Sequence, residues 1–131
     1  MSDRVDHTTF PLKEYLGFTI HQGSGTGTTA LDLGARHMNP NDVAHGSVAF
    51  ALMDTAMGAA VMTVIDDGCS CATIEIHTRF HRAASSGSLT AQASVMSAGR
   101  RVVHLEARTV DDEGQLIASA TGSFAVIRPT T

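Results

Sequence analysis

Between Asp42 and Asp66 the chain carries one charged residue, Asp54, in an otherwise apolar stretch. From Gly46 to Ile65 the residues are chiefly Ala, Met, Val and Leu, which predicts a helix that is apolar on nearly every face. Such a helix has to be enclosed by other structure. The apolar segment that holds it, Val43–Ile65, is long enough to raise the question of a membrane span. Asp54, His45 and two glycines argue against one, because a charge at the bilayer centre is costly and alanine is only weakly lipophilic. The rest of the chain must therefore wrap one buried, acid-bearing helix.

The material for wrapping is present. The 131 residues suit one domain spanning 1–131, and 43% hydrophobic against 17% charged content excludes a disordered chain. A net charge of −4 argues against nucleic acid as the main partner, since phosphate binding demands a basic face. Met1–Glu14 is charged and lacks the apolar run of a signal peptide. Cys69 and Cys71 would share one face of a strand, too close in sequence for an ordinary bridge. A reduced, cytoplasmic protein is expected.

Before the helix, Thr8 or Thr9 followed by Phe10-Pro11-Leu12 predicts a short capped helix with Pro in its first turn. Phe18–His21 and Thr26–Leu33, separated by Gly23-Ser24-Gly25, predict a hairpin, and Gly34–Ala44 a loop. After the helix, Cys69–Phe80 alternates around Ala72, Ile74 and Ile76. Ser88–Ser97 places Leu89, Ala91, Ala93 and Val95 on one parity. Arg101–Val110 and Gln115–Ile127 flank the turn Asp111-Asp112-Glu113-Gly114. The sum is an α+β fold: six antiparallel strands in a meander-like order, curled around the helix in the hotdog arrangement. Free sheet edges and uncovered apolar area predict at least a dimer.

Three features converge on the helix. Gly46 in His45-Gly46-Ser47 places a backbone N–H without a side chain at the helix start, where unpaired donors and the dipole favour negative charge. Such a donor suits a carbonyl oxygen that becomes an oxyanion. A plainer reading makes Gly46 a tight entry and Ser47 a cap. Asp54 needs either polar partners, such as Thr55 or Thr73, or a task. Finally, eight residues separate Gly46 from Asp54, about 12 Å along the axis at 1.5 Å per residue. One reacting carbonyl cannot touch both in a single copy. Two antiparallel copies can bring Gly46 of one chain to Asp54 of the other.

The pattern Asn39-x5-His45-Gly46-x7-Asp54, before a helix of Ala and Met, resembles the phenylacetic-acid-degradation (PaaI-like) type of hotdog acyl-CoA thioesterase. The likeness runs from Tyr15-Leu16-Gly17 to Phe124-Ala125-Val126. It implies that Asp54 is the nucleophile or the general base that activates water. It also implies that the Gly46 N–H, helped by the Asn39 side chain, polarises the carbonyl, that His45 orients the loop or contacts the thioester, and that Thr73 positions the water. A homotetramer is implied as well. Ser47 departs from the second glycine frequent in that family.

Coenzyme A would enter as part of the substrate rather than as a cofactor, and its phosphates call for a basic rim. The candidates are Arg79, His81 and Arg82 at one strand end and Arg100 and Arg101 after Gly99, although strand-end arginines also serve as edge protection. Phe50, Met53, Met57 and Met62 are the expected walls of the acyl pocket. No metal is expected: His77 and His81 on a strand stand about 13 Å apart at about 3.3 Å per residue. No serine sits in a nucleophile-elbow pattern, and Gly23–Gly27 lacks the lysine of a phosphate loop. Two other readings stay open, a non-catalytic acyl-CoA-binding module and a hotdog hydratase or dehydratase.

Overall fold

The structure, a computed structural model, describes residues 9–130. Its elements are α1 (Pro11–Leu16), β1 (Thr19–Gly23), β2 (Thr26–Asp32), α2 (Gly46–Met62), β3 (Ser70–Phe80), β4 (Ser88–Ala98), β5 (Val102–Asp111) and β6 (Leu116–Ile127). Pro11 opens α1, but the cap position is Phe10, which makes no side-chain capping bond. Thr9 donates its hydroxyl to Glu14 instead, and Thr8 lies outside the described residues.

The six strands form one antiparallel sheet in the order β1-β2-β4-β5-β6-β3. This corrects the meander-like order. The chain leaves β2, runs through α2 across the sheet, and lays β3 on the far edge beside β6. β4 then returns to pair with β2. Alternation tells which face a residue takes but not which strand is its neighbour.

The helix touches all six strands. Leu52, Met53, Ala56, Met57, Ala60 and Val61 are fully buried against Leu89, Ala91, Ala93, Val103, Leu105 and Phe124 from the inner sheet face. Small residues allow a close approach: a Cβ on Gly27 would lie 2.1 Å from the Ala56 carbonyl oxygen, so the helix backbone seats directly on β2. Thr29 Oγ1 donates to the Leu52 carbonyl (2.8 Å) and Gln22 Nε2 to that of Ala59 (2.9 Å), tying the hairpin to the helix.

The sheet covers only part of α2. Phe50, Ala51, Asp54, Thr55, Gly58 and Met62 form a stripe left partly open, beside the long free edge of β3. Met53 and Met57 belong to the core, which removes them from the expected pocket walls. Among the described residues, no helix is long and apolar enough to cross a membrane.

Candidate active site

The loop before α2 is built around a buried histidine. His37 Nδ1 accepts from the Gly34 N–H (2.9 Å), so its proton sits on Nε2, which donates to the Leu16 carbonyl (2.8 Å). The His37 carbonyl takes the His45 N–H at 2.8 Å. Asn39 Oδ1 accepts from the Asn41 N–H (2.8 Å) and the Val43 N–H (3.4 Å), which ties its side chain to the loop through the oxygen. Asp42 makes the turn with a φ of 60°.

The N-cap of α2 is His45, not Ser47. Its Nδ1 accepts from the Ser47 N–H at 3.0 Å and lies 2.7 Å from Ser47 Oγ. A backbone N–H can only donate, so Nδ1 is unprotonated and the ring proton is on Nε2. The Gly46 N–H has no hydrogen-bond partner among the described residues. It stands at the positive end of the helix dipole. Beside it opens a pocket of about 370 Å³ lined by His45, Gly46, Ala49, Phe80, Arg82 and Leu89, among others. Asp54 does not line it.

Asp54, half-buried, faces β3, where the Thr73 hydroxyl donates to its Oδ1 at 2.7 Å. A bulge makes this contact possible. Thr73 pairs with Phe124 and Glu75 with Ser123, leaving Ile74 as an extra residue. Glu75, His77 and Arg79 line a concavity on the outer sheet face. Thr73 has their parity, yet the extra residue turns it inward to the helix. Simple alternation around Ala72, Ile74 and Ile76 therefore fails here, and Ile74 is 54% exposed. Cys71 lies on the same inner side, its Sγ 3.9 Å from the Gly58 carbonyl. Burial pushes its thiol pKa up, and the Asp54 charge adds to the rise.

The basic residues do not form one rim within a protomer. Arg79 joins Arg108 and Glu106 in the outer-face concavity of about 750 Å³, whereas Arg82 lines the pocket at the helix start. His81 borders both, its Nε2 2.8 Å from Ser119 Oγ. Arg100 lies at the other end of the helix, in a pocket of about 290 Å³ with Asp66 and Arg128. Arg101 is exposed beside it, its carbonyl accepting the Val126 N–H. Two site features were missed in the sequence: the His45 ring cap, hidden because Ser is the commoner cap, and Phe80, which reads as an ordinary core aromatic.

A curled six-stranded antiparallel sheet around one long helix is the hotdog fold. Residues 41–118 match the profile of the Thioesterase superfamily, which is more than half of the chain. The chain belongs to that superfamily. A protein of Saccharolobus solfataricus named as a candidate esterase is 32% identical over 90 residues, 67% of this chain and 58% of its own length. The chain thus matches under two thirds of that curated relative. The fold agrees with a conserved protein of Pseudomonas aeruginosa (TM-score 0.87, 29% identity, 92% of this chain and 96% of that one). It also agrees with a candidate thioesterase of Ralstonia eutropha related to phenylacetic acid degradation (TM-score 0.81, 25% identity, 92% and 93%).

Proposed function

We propose that this protein hydrolyses an acyl-coenzyme A thioester in a site shared by two antiparallel copies of the chain. One observation carries the reading: the Thr73-bound carboxylate of Asp54 and the unpaired amide of Gly46 sit eight residues apart on one helix. That is about 12 Å along the axis, too far for one carbonyl. The surfaces favour the arrangement. The β3 edge is long and exposed, and Phe50 (38% exposed), Ile74 and Phe80 leave apolar area beside it. The dimer is the minimum working unit, and a tetramer is the assembly the family resemblance implies.

In the proposed reaction the thioester carbonyl oxygen accepts from the Gly46 N–H, with the Asn39 Nδ2 donor and the His45 Nε2–H on the same side. The Thr73 hydroxyl donates its hydrogen bond to Asp54 Oδ1, so its oxygen can accept from a water next to Oδ2. Oδ2 takes a proton from that water as its oxygen bonds to the carbonyl carbon. The electron pair of the C=O moves to oxygen, and the helix dipole stabilises the resulting oxyanion. When the oxyanion collapses, the C–S bond breaks. The departing sulfur receives the proton from Asp54, and free acid and coenzyme A are released.

Two antiparallel helices also bring the Arg100 end of one chain toward the Gly46 end of the other. Arg82, His81, Arg100 and Arg101 are then available to the phosphates, with Arg79 reaching from the outer face.

Subunit complementation tests the shared site. Asp54→Ala and Gly46→Val chains, each inactive alone, are mixed under subunit exchange and thiol release is measured. Half of the dimers are then mixed, each with one intact site, so about a quarter of wild-type activity returns. No recovery in verified mixed dimers overturns the shared site. Acyl-CoA binding without thiol release would leave only the binding module, and hydration of an enoyl-CoA would favour the hydratase.

A further inference from the structure

Gly46 is glycine for a reason its backbone does not supply. Its φ is not among the positive values, and it occupies the first turn of a regular helix. What surrounds it is more informative. The three atoms nearest an added Cβ all belong to the ring of Phe80: Cζ at 3.1 Å, Cε1 at 3.2 Å and Cε2 at 3.7 Å. The ring thus stands end-on against the Cα of the residue whose amide is unpaired.

Phe80 itself is out of place for a large aromatic. It is the last residue of β3, lies outside the core cluster and is 57% exposed. Full burial of such a ring would stabilise the fold by about 1.5–3 kcal/mol, so its position at the pocket mouth is a departure from ordinary packing. The strand end that carries it is fixed: the N–H groups of His81 (2.8 Å) and Arg82 (3.3 Å) both donate to the Ile117 carbonyl. The ring's placement is therefore set by backbone rather than by a loose tail.

We infer that Phe80 is the positioning residue of the thioester, its ring forming with the Cα of Gly46 a slot that holds the carbonyl against the Gly46 amide. This rests on the hydrolase reading above. Glycine at position 46 leaves clearance for both ring and substrate. An alanine methyl would displace the ring by a few tenths of an ångström and narrow the slot. Because Phe80 acts by fixing geometry, its loss should fall on kcat more than on KM.

A double-mutant cycle tests this: Gly46→Ala, Phe80→Ala and the pair together, read as kcat and KM with an acyl-CoA and by thermal melting. Each single variant should lose on the order of tenfold to a hundredfold in kcat with little change in KM. The double variant should equal or exceed Gly46→Ala alone, because the added methyl no longer meets a ring. Phe80→Tyr, which keeps the ring, should stay within about threefold of wild type. If Phe80→Ala melts early, Phe80→Leu replaces it in the cycle. Losses that multiply, or coupling seen in melting temperature but not in kcat, overturn the inference. Wild-type protein without thioesterase activity overturns the hydrolase reading and this inference with it. Active wild type with multiplying losses overturns this inference alone.

Discussion

Thr73 and Asp54 meet at 2.7 Å although one sits on the outermost strand of the sheet and the other on the central helix. The bond holds the carboxylate in one orientation and engages the hydroxyl hydrogen, leaving the second carboxylate oxygen without a hydrogen-bond partner among the described residues. Removing either partner separates the chemistry from the fold.

Asp54→Asn keeps shape and removes the proton acceptor. Thiol release should fall on the order of 10²–10⁴-fold. The melting temperature should stay within a few degrees, since the residue is only half-buried. Retained turnover in this variant would rule out the proposed chemistry.

At position 73 the two conservative changes should part company. Thr73→Ser keeps the hydroxyl and most of kcat, whereas Thr73→Val keeps the volume and loses on the order of tenfold or more. Equal activity in the two would show that the hydroxyl has no role in turnover.

His45 combines a cap with a donor facing the pocket. His45→Ala should destabilise by about 1 kcal/mol, a few degrees of melting temperature, and also slow turnover. His45→Asn restores an oxygen acceptor for the Ser47 N–H, so stability should return while kcat stays low. Both quantities returning together would reduce the ring to a cap.

The raised Cys71 thiol gives a prediction in pH. A higher pKa means the reactive thiolate forms only at higher pH than for an ordinary cysteine, so alkylation of Cys71 should be slow near neutrality and rise late. In Asp54→Asn the smaller, Coulombic cause is gone and the midpoint should move down. Burial, the larger cause, should keep it above the ordinary value. Mass spectrometry of alkylated peptides in a Cys69→Ala background reads this directly.

His37→Ala removes a buried ring and strands two half-buried groups, the Gly34 N–H and the Leu16 carbonyl. A loss of about 2–4 kcal/mol in denaturant unfolding is expected. A change within about 0.5 kcal/mol would mean that the loop does not depend on the ring.

Much of the architecture was legible because two periodicities are strong. Leu89, Ala91 and Ala93 announce a strand face, and a lone acid in an Ala-Met stretch announces a special helix. Strand order was not legible, because the placement of β3 beside β6 is decided by the crossover and not by its own residues. Met53 and Met57 look like pocket walls in sequence and are core in fact, since only the angle around the helix distinguishes the two. Arg79 and Arg82 are three apart, and opposite parity on a strand end sends them to different surfaces. Buried His37 gave no signal at all, its role depending on a carbonyl twenty-one residues earlier.

The unpaired Ile74 shifts the phase of β3 midway along its length. The inner face takes odd-numbered residues before it and even-numbered residues after it, so the strand has two halves of opposite numbering parity. Deleting that single position would alter no chemical group named in the reaction. It would join the Thr73–Phe124 pair directly to the Glu75–Ser123 pair in unbroken register, with Cys71 and Thr73 still on the inner face. What Ile74 supplies is therefore the local bend and added twist of an edge strand beside Asp54, a curvature that regular pairing would lack.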